Sequence, residues 1–146
     1  AGERMKVSLE ANSPEDEHDC FSDNTHNSQF YDAKGIRNVY LGEYTRVDGT
    51  KMTGASLSSL VAKADPAADS ALKADLEATE AKMQVIVDHA NKGEHYDQLI
   101  AAGNTAGNQI VRDAIASLVK QTGSIEAAAG KLGISDLNPD NADHEF

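Results

Sequence analysis

Apolar positions recur along most of this chain at steps of three and four, the period that gathers them on one face of a helix. The clearest run is Leu72, Leu76, Thr79, Met83, Ile86 and Ala90. It predicts a long amphipathic helix that begins at Asp65-Pro66, with Pro in the first helical position, and stops at Gly93. A second run, Val111, Ile115, Leu118, Thr122, Ile125, Ala129 and Leu132, keeps strict four-three spacing up to Gly133. Such a seam suits packing against other helices at a shallow angle. A third run starts where Asp23 or Asn24 can cap a helix, and carries Phe30, Ala33, Arg37, Tyr40 and Tyr44, with Ile36 and Val39 widening the stripe. Ser56 caps a short helix over 57–64, and residues 94–100 form a helical turn that Gly103-Asn104 breaks. The fold class read from this pattern is all-α, one helical-bundle domain over residues 1–146. A small β-hairpin is expected near 46–54, around the Asp48-Gly49 turn.

The first residues add a question of context. Met5 and Leu9 share a helical face, but the segment ends near Ala11 and is too short to hold a helix by itself. It reads as helix from the start, without a cap, an initiator methionine or a signal-like apolar stretch. The expectation is that this chain is the downstream piece of a longer protein, with its packing partners upstream.

Length and charge narrow the classes of function. The 146 residues suffice for one domain with a real core. A formal net charge of -11 repels phosphate backbones and anionic lipid surfaces, so nucleic acid is not an expected partner. No stretch approaches the roughly 18 consecutive apolar residues of a membrane-spanning helix. Cys20 is the one cysteine and forms no disulfide within the chain.

Standard catalytic engines are missing: there is no HExxH, CxxC, GxxxxGK or GxSxG. The densest chemistry is residues 17–26, EHDCFSDNTH, which holds carboxylates (Glu17, Asp19, Asp23), imidazoles (His18, His26) and the thiol of Cys20. These donor types suit iron or zinc, with His18 and Asp19 as candidate metal ligands, although the spacing matches no established metal signature. The other reading is a polar loop in which Asp23 and Asn24 cap the next helix, Cys20 and Phe21 are buried anchors, and the histidines bond to backbone. Five of the seven aromatics fall between Phe21 and Tyr44, so the heaviest packing is expected there. His89 and His95 bracket Gly93 and are read as structural, His144 as solvated, and Tyr40 and Tyr44 as core.

The segment EHDCFSDNTH, followed by YDAKGIRNVYLG (31–42) and YTRVDG (44–49), closely resembles the C-terminal half of the imelysin, or imelysin-like peptidase, family of bacterial envelope proteins. The resemblance extends through Pro66, the Met83 helix and YDQLI (96–100) to His144-Glu145-Phe146. It implies an all-helical protein of two bundle-like halves, exported to the periplasm or outer membrane, iron-regulated and engaged in iron or metal acquisition. The family carries a metal-binding GxHxxE motif in its N-terminal half. That motif is absent here, since Gly93-Glu94-His95 lacks the later glutamate, so ligands for iron or zinc would lie mainly in the N-terminal half and no catalytic residue is assigned. Asp23, Asn24, Thr25 and His26 are expected to face a cleft shared with that half. The implied partners are the N-terminal half and other envelope iron-uptake components. Two alternatives stay open: a metallopeptidase, and a non-catalytic envelope binding module with clefts lined by Tyr31, Tyr40 and Tyr44.

Overall fold

At the centre of the computed structural model, which describes residues 1–137, lies helix α4, Pro66–Ala90. The Asp65 carboxylate accepts from the amides of Ala67 and Ala68 at 3.0 and 3.1 Å, satisfying two of the free donors of its first turn. Leu72, Leu76, Thr79, Met83, Ile86 and Ala90 are all buried, as the period demands. Helix α2, Thr25–Leu41, packs along one side of α4, and α6, Thr105–Lys131, along the other. The short helices α3, Leu57–Ala64, and α5, Tyr96–Ile100, fill the ends of the bundle. At the start, a π-helical turn over Gly2–Lys6 runs into α1, Val7–Ala11, where Met5 and Leu9 are buried on one face. The all-α fold read from the sequence is the fold observed.

The core is divided along the bundle. One cluster joins Met5, Leu9, Phe30, Met83, Ile86 and Tyr96 with the rest of α5 and the first half of α6; the other joins Tyr40, Val61, Leu72, Leu76 and Ala128. Five residues are too few for a self-supporting helix. Packing supports α5 instead, with Tyr96, Leu99 and Ile100 wholly buried. Its carbonyl ends are tied off by side chains: Asn108 donates to the oxygens of Leu99 and Ala101, and Asn12 to that of Ile100. Gly107 permits the close approach, because a Cβ there would lie 2.7 Å from the Leu99 oxygen.

Several sequence expectations need correction. On α6 the buried positions are Gly107, Asn108, Val111, Ala114, Gln121 and Ala128, while Ile115, Leu118, Ile125 and Leu132 are partly buried against the core. The hairpin exists but starts earlier, pairing β1, Glu43–Thr45, with β2, Lys51–Thr53, in the register Tyr44↔Met52. Gly42 ends α2 with φ of 64°, turning the chain at once into the strand. Tyr44 is therefore an exposed strand residue and no part of the core. Ile36 and Val39 are also exposed, because α2 meets α4 along the narrower line of Phe30, Ala33 and Tyr40. Of the aromatics in the 21–44 region, Phe30 packs in the Tyr96 cluster and Tyr40 in the other, whereas Phe21, Tyr31 and Tyr44 are exposed.

Candidate functional site

Residues 12–24 form an irregular segment between α1 and α2. Asn12 takes a left-handed conformation, Pro14–Asp16 make a single 3-10 turn, and Asp23 is left-handed again with φ of 53°. The segment folds back over the first turn of α2 through Thr25, which is wholly buried. Thr25 Oγ1 accepts from the Asp19 amide at 3.0 Å, and its hydroxyl acts on the Glu17 carboxyl, favouring the charged form. Ser28, next on the helix, donates to Asp19 Oδ2 at 3.1 Å. Asn24 occupies the cap position without giving the helix backbone a side-chain acceptor; its Oδ1 takes the Asn27 amide group instead.

Glu17, on this loop, and His26 and Gln29, on the first turns of α2, are each more than nine-tenths buried. The start of α5 supplies the opposite wall. The His95 ring stands edge-on to that of His26, with centroids 5.6 Å apart, and its Nδ1 lies 2.8 Å from Asp23 Oδ2 without in-line hydrogen-bond geometry. Gln29 Nε2 donates to the Arg4 carbonyl, which anchors the opening π-turn to the same place. Among the described residues Glu17 Oε2, His26 Nδ1 and Gln29 Oε1 are buried without a hydrogen-bond partner. Folded proteins satisfy nearly all such atoms, with ordered water where protein groups do not reach.

The electrostatics follow from burial. Desolvation pushes the Glu17 carboxyl above its ordinary value, and Asp97, Asp23 and Asp19 add to the rise against the opposing Thr25 bond. Desolvation also lowers His26, helped by His95 and opposed by Asp23. Burial, followed by Glu15 and Glu17, raises the Cys20 thiol, which disfavours the reactive thiolate.

The sequence-predicted residues are only partly united. Asp23 and Asn24 are exposed at the rim, His26 lies inside, and Thr25 is a buried fastener that does not face outward. Cys20 is half-buried and Phe21 wholly exposed, so neither anchors the loop; Thr25 and Ser28 do that work. His18 and Asp19 do not converge as metal ligands. His18 Nε2 meets Arg4 Nη1 at 3.2 Å, whereas Asp19 is held by Ser28 and Thr25. Among the described residues no group of three His, Cys, Asp or Glu side chains can hold a metal ion, so this chain's residues do not fit an iron or zinc centre by themselves.

The Imelysin family model, which carries a peptidase M75 label, matches residues 1–125. The chain belongs to the imelysin family. No curated protein matches it. The span shared with imelysin contains every residue of the cluster, from Arg4 to Asp97.

Sequence reasoning missed three members of this imelysin site. Gln29 had a signal, since it lies one turn beyond Thr25 and His26 on the same face. Glu17 had none to separate it from the other acids, and His95 was read from its helix-end position alone. His89 does act structurally, its Nδ1 2.6 Å from Glu94 Oε2, and burial of Tyr40 places it in the core as expected. Tyr31 and Tyr44 line an open groove of about 600 Å³ between α2 and the hairpin, whereas Tyr40 borders a separate apolar groove of about 540 Å³. His144 lies outside the described residues. No helix among those described is long and apolar enough to cross a membrane.

Proposed function

We propose that the chain serves an exported bacterial envelope protein engaged in iron or metal acquisition, as one wall of a ligand cleft completed by an N-terminal half. Asp23 and Asn24 form the rim of that wall, His26 lies behind them, and Thr25 holds the loop in register. Ligands for iron or zinc belong mainly to the other half, and this chain recognises the non-metal part of the cargo. The observation that carries the reading is the set of buried, unpartnered polar atoms on Glu17, His26 and Gln29, inside the family-matched span. The free end of α2 points the same way, since neither Asp23 nor Asn24 caps it.

The test uses the two-half protein purified without chelator, with metal content and retention of a ferric complex measured for the wild type and for Asp23→Ala/His26→Ala. Loss of retention at unchanged helicity is the expected result, and unchanged retention defeats the proposal. Chelator-sensitive cleavage of a peptide by the same preparation would favour the metallopeptidase alternative. Fractionation of the producing cell checks the periplasmic or outer-membrane location.

A further inference from the structure

The open groove of about 600 Å³ between α2 and the hairpin shares no residue with the loop before α2. Its helix wall includes Tyr31, Lys34 and Asn38, and its hairpin wall Tyr44, Met52 and Thr53. Tyr31 and Tyr44 are both more than half exposed, and Met52 is exposed beside them. Exposed apolar side chains gathered along one groove, in contrast to ones scattered singly, mark interaction sites. Both walls are held in place. Tyr31 stands edge-on to the buried Phe30, with ring centroids 5.2 Å apart. At the root of the hairpin the Gly42 carbonyl accepts from the Gly54 amide at 2.8 Å, and a Cβ on Gly42 would lie 2.5 Å from the Ala55 oxygen, so the root is clamped against the chain entering α3. A groove formed in advance loses little binding energy to ordering.

The lining selects the class of ligand. The chain as a whole carries a net charge of -11, yet the ionic groups at this groove balance. Lys34 pairs with Glu80 at 3.7 Å, and Arg37 pairs with Glu80 at 3.4 Å and with Glu43 at 2.9 Å. Two cations answer two carboxylates, so the groove complements an uncharged ligand. The negative faces of tyrosine rings attract weakly positive C–H groups. Asn38 and Thr53 each both donate and accept, which matches a hydroxyl group, whereas prolines in a peptide offer carbonyl acceptors alone. A pyranose with equatorial hydroxyls combines the two requirements, with C–H bonds on its flat faces and hydroxyls around its edge.

We propose that the groove between α2 and the hairpin is a recognition site for a neutral saccharide, with Tyr31 and Tyr44 against the faces of the sugar and Asn38 and Thr53 bonding its hydroxyls. The proposal is independent of what the cleft at Asp23 and His26 holds.

The probe is cellotriose, whose sugars carry their ring substituents equatorially, titrated into the whole chain while the tyrosine rings are followed by NMR. The expected result is a saturable shift of Tyr31 and Tyr44, with the wholly buried Tyr96 unmoved. Tyr31→Ala and Tyr44→Ala each weaken binding about two- to tenfold, the size of one aromatic contact. Asn38→Ala weakens it by a similar factor, that of about one hydrogen bond. Tyr40→Phe, on the separate apolar groove, leaves it unchanged. Should Tyr44→Ala disturb the hairpin, Tyr31→Ala, on the exposed side of a long helix, still decides. No shift with cellotriose, binding that is undiminished in Tyr31→Ala, or tighter binding of a decaproline peptide than of cellotriose overturns the proposal.

Discussion

Asp23, held in a left-handed conformation with φ of 53°, places its Oδ2 2.8 Å from Nδ1 of His95 and so joins the loop before α2 to the start of α5. Left-handed backbone costs an L-residue roughly 1–2 kcal/mol, and Asp pays less than most. The pair is part-exposed, which limits its contribution to roughly 0.2–1 kcal/mol. Asp23→Gly removes the pair and relieves the backbone, so its urea midpoint is expected to stay close to wild type. Asp23→Ala loses the pair and keeps the strain, and is expected to be less stable by about 1 kcal/mol. Both variants free the His95 ring, which NMR line shapes would report.

His26 and Glu17 should give stability opposite dependences on pH. The folded state lowers His26, so the stability it contributes is present above the ordinary histidine value of 6.5 and is lost as pH falls through the lowered one. The Glu17 carboxyl is raised, so its contribution is present below the ordinary carboxyl value of 4.5 and is lost as pH rises through the raised one. Urea melts across the mildly acidic range should therefore show a flatter acid slope for His26→Gln and a higher midpoint at neutral pH for Glu17→Gln. A steeper acid slope in His26→Gln would contradict the assignment.

The helices were legible because burial on α4 obeys a period that composition cannot hide: all six positions from Leu72 to Ala90 are buried. Ser56 and Asp65 were legible as caps because their short side chains reach backbone amides only a few residues ahead. The same logic failed at Phe21, because apolar character does not ensure burial in a loop whose register is set by Thr25 and Asp19. It failed again for His26 and His95, whose contact depends on how α5 docks against α2 and leaves no periodic trace. The rim was visible as a dense polar segment. Its inner wall was not, because a buried Gln or Glu differs from a surface one only in tertiary surroundings.

A second buried polar group lies at the other end of the bundle and should act purely on stability. Asp69 accepts from the hydroxyls of Tyr40 and Ser58, each at 2.8 Å, and pairs with Lys73. Burial pushes its carboxyl up, but the Lys73, Ser58 and Tyr40 bonds outweigh this and hold it below the ordinary value. That contribution is present above the ordinary value of 3.8 and is lost as pH falls through the lowered one. Asp69→Ala leaves two buried hydroxyls without an acceptor and is expected to cost about 2–5 kcal/mol, whereas Tyr40→Phe removes one bond for about 1 kcal/mol. Neither variant should move the ring resonances of His26 and His95.

Phe21→Ser tests the corrected account of the loop. A side chain wholly in solvent contributes little to folding, so the urea midpoint should stay within about 0.5 kcal/mol of wild type. Thr25→Val keeps the shape but deprives the Asp19 amide of its acceptor and the Glu17 carboxyl of its hydroxyl, at a cost of about 1–3 kcal/mol. A large loss in Phe21→Ser beside a small one in Thr25→Val would restore Phe21 as the anchor.

Gly107 connects bundle packing to the site. A Cβ at this position would lie 2.7 Å from the oxygen and 2.8 Å from the Cα of Leu99, both parts of a backbone that has little room to give. Gly107→Ala therefore forces α5 away from α6. Overpacking of this kind costs about 1–3 kcal/mol, and the better helix propensity of alanine returns at most about 1 kcal/mol. Gly123, on the same helix with nothing within 4 Å of its Cβ position, serves as the control. Gly123→Ala should raise the urea midpoint by about 0.5–1 kcal/mol equivalent. The deciding measurement is the NMR spectrum of the histidine rings. Because α5 begins beside His95, Gly107→Ala should displace the His95 and His26 resonances together, and Gly123→Ala should leave both in place. Unmoved rings in a destabilised Gly107→Ala would mean that α5 does not position the site.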